Sequence, residues 1–413
     1  MNIFTAPVAS SRMALVSHGA SPLPRAAGDQ VGALRAAEFF AGIGLVRAAL
    51  ERGDWQVVFA NDIEPFKHAM YQANFDASDF VLGDIRSVRG RQIPDIDLAT
   101  ASFPCTDLSL AGMRRGLDGE QSGMLWEFTR VIGEMGRRKP AFLLLENVPA
   151  FATSKGGADL AAAVERLNDL GYDCAITMGD ARHFVPQSRQ RLFIIGSRVG
   201  LGDLGEPVQG SLPGLEMETT RGRLMGLSRF VASHPGLRVR VFDLALPCTE
   251  QPTLTRIVER LRPGDSRWWD PERTARFIDS LSPRQAARLD VMRAGRSLQW
   301  ATAYRRTRHG HSTWEIRNDR ISGCLRTARG GSSRQALVEA GRGVVRVRWM
   351  TSREYAGLQG APEFVIPETV TENQALSGFG DAVALPVVEW LVTRYLTPLA
   401  LAPRKPAKQL LRV

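Results

Sequence analysis

Residues 97–105 read DLATASFPC, and residues 142–148 read FLLLENV. Both are apolar runs of strand length that stop abruptly, the first at Pro104-Cys105 and the second at Glu146-Asn147. Near-continuous apolar runs suit strands covered on both faces, as in a parallel sheet. Open α/β sheets place reacting groups where such strands exit. A thiol at one exit and a carboxylate at the other are what covalent attack on a protonatable ring requires.

The same texture extends over residues 34–200. LRAAEFF, VVFAND, DFVLGDI, YDCAITMGD and RLFIIGS are further strand candidates. Between several of them lie helical patterns such as VRAALERG, FKHAMYQANF and GADLAAAVERLNDLG. Strands alternating with helices predict an α/β protein with a doubly wound, mostly parallel sheet. From 201 to 330 the alternation is lost, and prolines 207, 213, 235, 247, 252, 263, 271 and 283 break the chain into short pieces. This stretch reads as a second, smaller domain, irregular and β-rich. Segment 344–360 combines a strand with a helix capped near Thr351 or Ser352. GDAVALPVVEWLVTRYL (380–396) reads as one amphipathic helix returning to the first domain. The expected organisation is a flexible extension over 1–34, a main domain over 35–200 plus 376–398, the smaller domain with its connections over 201–375, and a basic tail over 399–413.

The chain has 413 residues, 44% of them hydrophobic, enough for a large core. No apolar stretch approaches the roughly 18 residues of a membrane span, so no membrane partner is expected. The four cysteines, Cys105, Cys174, Cys248 and Cys324, show no metal-ligand spacing. That predicts no metal site and a reduced, cytoplasmic setting. The net charge is +10. Residues 301–350 alone carry eleven arginines against Glu315, Asp319 and Glu339. Arginine suits bidentate phosphate and guanine contacts, so a polyanion partner is expected. Trp268-Trp269 either packs the smaller domain or reaches that partner.

The first strand runs into FAGIG (40–44) and then a helix, a turn that lets backbone approach a ligand at a helix N-terminus. Asp62 ends the second strand, where an acid can accept both hydroxyls of a ribose. Asp84 ends the third and could meet an adenine amino group. The third glycine of a dinucleotide fingerprint is replaced by Arg47, which favours an adenosine-type cofactor over a nicotinamide one. The loop after Cys105 carries Gly112, Gly116, Gly119 and Gly123 around Arg114-Arg115 and reads as a mobile basic lid. In QSRQR (187–191), Arg189 and Arg191 share one face of a strand, which is costly to bury without an anion.

In this order, FAGIG, SFPC (102–105), ENV (146–148), QSRQR and GFGDAV (378–383) resemble the motifs of the cytosine-C5 DNA methyltransferase family, bacterial type. The resemblance covers 35–200 and 320–396, and implies a Rossmann-like S-adenosylmethionine-binding catalytic domain. The smaller domain falls where that family keeps its target-recognition domain. The implied donor is S-adenosylmethionine, leaving S-adenosylhomocysteine. The implied substrate is a cytosine flipped out of double-stranded DNA. Cys105 would attack C6, Glu146 would contact N3 and the exocyclic amine, and Arg189 and Arg191 would hold the O2 side or the adjoining loop. The implied cofactor residues are Phe40, Ala41, Gly42, Ile43, Gly44, Asp62, Ile63, Asp84, Ile85, Pro104, Asp381 and Val383. Those implied on the DNA side are Ser109, Arg114, Arg115, Asn147, Gln187, Arg326, Arg329 and Arg334. A monomer, and a cognate restriction or other defence system as partner, belong to the same picture.

Three residues depart from the family pattern. Thr106 stands where glutamine is most usual, Asp381 where asparagine is usual, and Glu38 where aspartate is usual. Asp381 lacks the amide donor, which leaves open how its loop is anchored. The alternatives are the same chemistry on tRNA, a catalytically silent DNA-binding module, and a nicotinamide-dependent oxidoreductase.

Overall fold

In the computed structural model the chain is described over residues 33–104, 123–202, 204, 216–218, 221–248, 252–308, 311–327 and 334–402. The apolar runs form strands β1 (Leu34–Phe39), β2 (Trp55–Asp62), β3 (Phe80–Leu82), β4 (Leu98–Ala101), β5 (Phe142–Asn147), β6 (Asp173–Asp180) and β7 (Gln190–Ser197). Short strands β8 (Glu216–Glu218), β9 (Val239–Val241) and β10 (Leu246–Cys248) follow. Seven of these strands and β9 make one sheet in the order β3-β2-β1-β4-β5-β7-β6-β9. All pairings are parallel except those of β7 with β5 and β6. Only residues 181–189 join β6 to β7, too few for the crossover of about a dozen residues that a parallel pair needs. β7 therefore runs backwards, and its start lies beside the ends of β5 and β6.

Helices cover both faces, as a doubly wound sheet requires. α1 (Leu45–Arg52) and α2 (Pro65–Gln72) pack on one side, and α3 (Met124–Glu134) and α4 (Ala158–Asp169) on the other. The second side is completed by α5 (Arg221–Ser233), through Leu224, Leu227 and Phe230. Thus α5 and β9 serve the large sheet, although 201–375 was expected to form the smaller domain. Their apolar spacing finds the one sheet face left bare.

The smaller layer follows. α6 (Pro271–Asp279) and α7 (Pro283–Ala294) lie against an antiparallel sheet of β11 (Gln299–Arg308), β12 (His311–Ile316), β13 (Ala336–Gly341) and β14 (Val344–Trp349), ordered β12-β11-β13-β14. Trp269 packs against its core, partly buried, together with Trp314 and Trp349. The chain then returns to the first side of the large sheet as α8 (Ser352–Leu358), α9 (Glu372–Asp381), α10 (Leu385–Leu391) and α11 (Thr397–Leu401). α8 is capped by Thr351 with Glu354. Residues 380–396 are not one helix. α9 ends at Asp381, Ala384 is extended, and Pro386 sits in the first turn of α10, where its missing N–H costs nothing. Helices α9 to α11 lie along the interrupted apolar run Glu372–Leu401, and 67% of its most apolar window is buried within the protein, as in core helices.

The joint between the layers is a buried ion pair. Arg348 Nη2 lies 2.5 Å from Glu354 Oε1, and Nη1 lies 2.9 Å from Oε2. The same carboxylate accepts the backbone N–H groups of Glu259 and Thr351, and the guanidinium also donates to the Glu259 carbonyl. Both side chains are fully buried. Removing one partner leaves the other charged and dry, which typically costs about 3–5 kcal/mol. Glu354→Ala should therefore lower the denaturant midpoint sharply, whereas Arg348→Met with Glu354→Leu should lie much nearer wild type. Equal losses in the two proteins would show that packing, not the orphaned charge, holds the joint.

Candidate active site

The order of the strands reverses between β1 and β4, and this switch point is where open sheets bind ligands. The β1 exit is the turn 40–44, with Phe40, Gly42 and Gly44 all at positive φ. A Cβ on Gly44 would come within 2.6 Å of the Phe75 ring and 2.8 Å of Tyr71, so packing and backbone both demand glycine there. Arg47 is buried on α1, bonded to Glu51, Tyr71 and the Asp76 carbonyl, and lies over Phe75. It fills the space behind the turn.

Asp62 ties this turn to the next element. Its carboxylate accepts the Gly42 N–H at 2.8 Å and the Glu64 N–H at 2.9 Å. A carboxylate has about four acceptor positions, so capacity for a ligand's hydroxyls is left. Beside it Ile63 is 58% exposed, an apolar face available to a planar ring. Asp84 caps the turn Ile85–Ser87 by accepting from the Arg86 N–H. Ala41, Ile43, Ile85 and Val383 are buried, so they can offer a ligand little beyond backbone.

The anchoring of Asp381 has a clear answer. Its carboxylate accepts from the Thr327 hydroxyl and pairs with Lys67 of α2 at 2.9 Å. Burial opposes the charge on Lys67, but Asp381 and Asp62 outweigh it and raise its pKa. An ion pair thus links the Asp381 loop to α2.

Glu38 lies under the turn, buried, with neither carboxyl oxygen meeting a hydrogen-bond donor in good geometry. Burial pushes its pKa from 4.5 to about 8, against the pull of Arg47. The folded protein then holds a proton that the unfolded chain releases above about pH 4.5. Stability contributed by this group falls as pH rises from there to about 8, by at most about 1.4 kcal/mol per unit. Glu38→Gln should flatten the stability profile over that window, measured as denaturation midpoints against pH. Parallel profiles would refute the buried proton.

The β4 exit is reached at Phe103 and Pro104. Cys105, Ser109, Arg114, Arg115 and Arg329 lie outside the described residues, as do 1–32 and 403–413. The root of the Cys105 loop is fixed, because buried Asn147 donates to the Phe103 carbonyl at 3.2 Å. Next to it, Glu146 Oε1 pairs with Arg191 Nε at 2.7 Å, the side chains 12% and 14% exposed. The antiparallel pairing of β5 with β7 brings them together.

Gln187 and Asn147, expected on the DNA side, make internal bonds, and Arg189, expected on the O2 side or the adjoining loop, holds loop backbone. Gln187 is fully buried, donating to the Leu358 carbonyl and accepting from the Leu325 N–H. Arg189 is buried and donates to the carbonyls of Leu325, Gly380 and Ala382. Asn147 holds the Phe103 loop, as above. Facing DNA would strip each of these buried partners of its bond. Arg326 is exposed, and Arg334 is half-buried, donating to the Met350 carbonyl. Sequence reading missed Cys324, whose sulfur lies 3.3 Å from Arg189 Nη1 and 3.8 Å from Arg191 Nη1 and Nη2. Burial would raise this thiol's pKa, but Arg189, Arg191 and Arg326 hold it below its ordinary value. No spacing rule points to a lone cysteine amid arginines.

The profile of the C-5 cytosine-specific DNA methylase family matches residues 34–396. The chain belongs to that family. It is similar to the Type II methyltransferase M.MspI of Moraxella sp, with 36% identity over 160 residues, 38% of this chain and 37% of that protein. The Type II methyltransferase M.Bsp6I of Bacillus sp. (strain RFL6) is 33% identical over 168 residues, 40% of this chain and 52% of its own. The matched stretch therefore spans about a third to a half of these relatives. The fold is that of S. pombe Dnmt2 methyltransferase (TM-score 0.56, 18% identity, 89% of this chain and 99% of that one). It is likewise that of Entamoeba histolytica methyltransferase EhMeth (TM-score 0.59, 14% identity, the same coverages).

Proposed function

We propose that this protein methylates C5 of a flipped cytosine in a specific sequence of double-stranded DNA, by way of a covalent adduct between Cys105 and C6. The observation that carries the reading is the Glu146–Arg191 pair at the end of β5 and the start of β7, beside the braced root of the Cys105 loop and the glycine turn. The donor set at that turn fits S-adenosylmethionine: a backbone-lined glycine turn, spare acceptor capacity on Asp62, and the exposed face of Ile63. Bound there, it would supply an electrophilic methyl group.

Cytosine C5 is a poor nucleophile until the ring's aromaticity is broken. The Cys105 thiolate adds to C6, and the electron pair of the C5–C6 double bond becomes an enamine. Glu146, oriented by Arg191, accepts from the exocyclic amine with one oxygen and delivers a proton to N3 from the other, drawing density away from C6; that proton returns when the thiolate leaves. The enamine carbon C5 takes the methyl group. Loss of the C5 proton then restores the double bond and expels the thiolate. Arg189, Gln187 and Asn147 hold the strands and loops from which these groups project.

The test is incorporation of label from S-adenosylmethionine into duplex DNA of mixed sequence, with tRNA as a parallel substrate. Label in DNA, blocked at sites already carrying 5-methylcytosine, is expected. Label in tRNA alone, or in neither, would overturn the reading. Pairing with a cognate nuclease, as the Type II relatives' names suggest, is part of the same proposal.

A further inference from the structure

A cavity lies on the small sheet, lined by none of the residues around Glu146 and the glycine turn. Asp270 caps α6 by accepting the Arg273 N–H, and Pro271 follows it. The helix thereby aims Arg273, Arg276 and Phe277 at the end of the sheet. There Arg305 and Trp314 face each other across β11 and β12, and Trp349 ends β14. Together with Trp269 these side chains line a cavity of about 360 Å³, within the range of small-ligand sites.

Two features go beyond what packing needs. The first is aromatic. Trp269, Trp314 and Trp349 meet with ring centroids 5.1 to 5.8 Å apart, and the buried Trp269 indole N–H has no partner among the described residues. The second is charge. Arg273 lies 4.2 Å over the Trp269 ring, Arg305 lies over Trp314 and Arg334 over Trp349. Among the described residues no hydrogen bond or ion pair reaches the Arg273 guanidinium. Burial, together with Arg276, Arg305 and Arg334, pushes Arg273 below its ordinary pKa, and Asp270 opposes them. Like charges gathered on one wall are relieved by an anion. They also exclude a quaternary ammonium ligand, which an aromatic cage alone would suit.

We propose that this pocket binds an unstacked nucleotide, its base against the tryptophan and guanidinium planes and its phosphate on the arginines. Planar apolar walls and clustered guanidinium groups are the combination that holds single-stranded nucleic acid. The pocket contains none of the groups assigned to methyl transfer, so it stands even where that assignment fails. The nucleotide can come from a DNA strand or from a free mononucleotide, and the same experiment separates the two.

The experiment uses the full-length protein with a short single-stranded oligonucleotide carrying 5-iododeoxyuridine. It is photo-crosslinked, and the adducts are mapped by mass spectrometry. Crosslinks at Trp269, Trp314 or Trp349 are expected. They should fall about tenfold or more in Arg276→Glu, which alters an exposed side chain, and in Arg305→Ala, at unchanged melting temperature. Competition by a deoxymononucleotide as effective as unlabelled oligonucleotide identifies a free nucleotide, and competition by the oligonucleotide alone identifies a DNA strand. Crosslinks only elsewhere, undiminished crosslinking in both variants, or inorganic phosphate competing as well as the mononucleotide would each overturn the proposal.

Discussion

Cys105→Ser should abolish methyl transfer and, with it, the denaturant-resistant complex expected of the wild-type protein on duplex DNA containing 5-fluorocytosine. Fluorine at C5 cannot leave as a proton does, so the cycle halts with sulfur still bound to C6. Serine keeps nearly the same volume but offers a hydroxyl that is scarcely ionised at neutral pH, whereas a thiol near pKa 8.5 gives a usable thiolate fraction. The loss should exceed about 10⁴-fold, with S-adenosylmethionine affinity unchanged, as measured by single-turnover methylation, trapping and equilibrium binding. A Cys105→Ser protein that still forms the adduct would assign the nucleophile elsewhere.

Glu146→Gln is expected to slow the single-turnover rate by about 10²–10⁴-fold, the usual range for a positioned proton-transfer group. Glutamine is nearly isosteric, and Asn147 should still brace the Phe103 carbonyl. Arg191, 14% exposed, loses its charged partner, so a modest drop in thermal stability accompanies the change. Loss of rate at nearly constant DNA affinity is the mark of an interaction that strengthens in the transition state. Weakened DNA binding at an unchanged rate would make Glu146 a docking residue instead.

The sheet was legible in the sequence because DLATASF, FLLLENV and the other runs are apolar without a break, and burial on both faces leaves no other reading. The direction of β7 was not legible in that pattern, since a buried strand looks the same both ways. It follows instead from the short connection 181–189. α5 and β9 were hidden in a Gly- and Pro-rich stretch whose apolar residues acquire meaning only against the bare sheet face. Glu146 and Arg191 were each legible because one ends a strand and the other begins one, but their pairing was not. Gln187 and Asn147 were placed on the DNA side through the resemblance alone, and nothing local reveals that the carbonyls of residues 358 and 103 await them, or that those of 325, 380 and 382 await Arg189. The arginine excess of 301–350 overstated the exposed charge, since Arg348 is buried with Glu354, Arg346 pairs with Glu339 and Arg317 with Asp319. The partner of Asp381 stands 314 positions earlier, at Lys67, beyond the reach of any motif.

The braces from residues 187 and 189 set the terms on which recognition can be exchanged. Gln187 and Arg189 hold backbone at 325, between β12 and β13 of the small sheet, and at 358, 380 and 382, at or just past the ends of α8 and α9. Because they grip main-chain atoms, they are indifferent to the side chains carried in between. A foreign recognition segment spliced inside these anchor points inherits a ready-made socket, and one spliced across them arrives without a hinge.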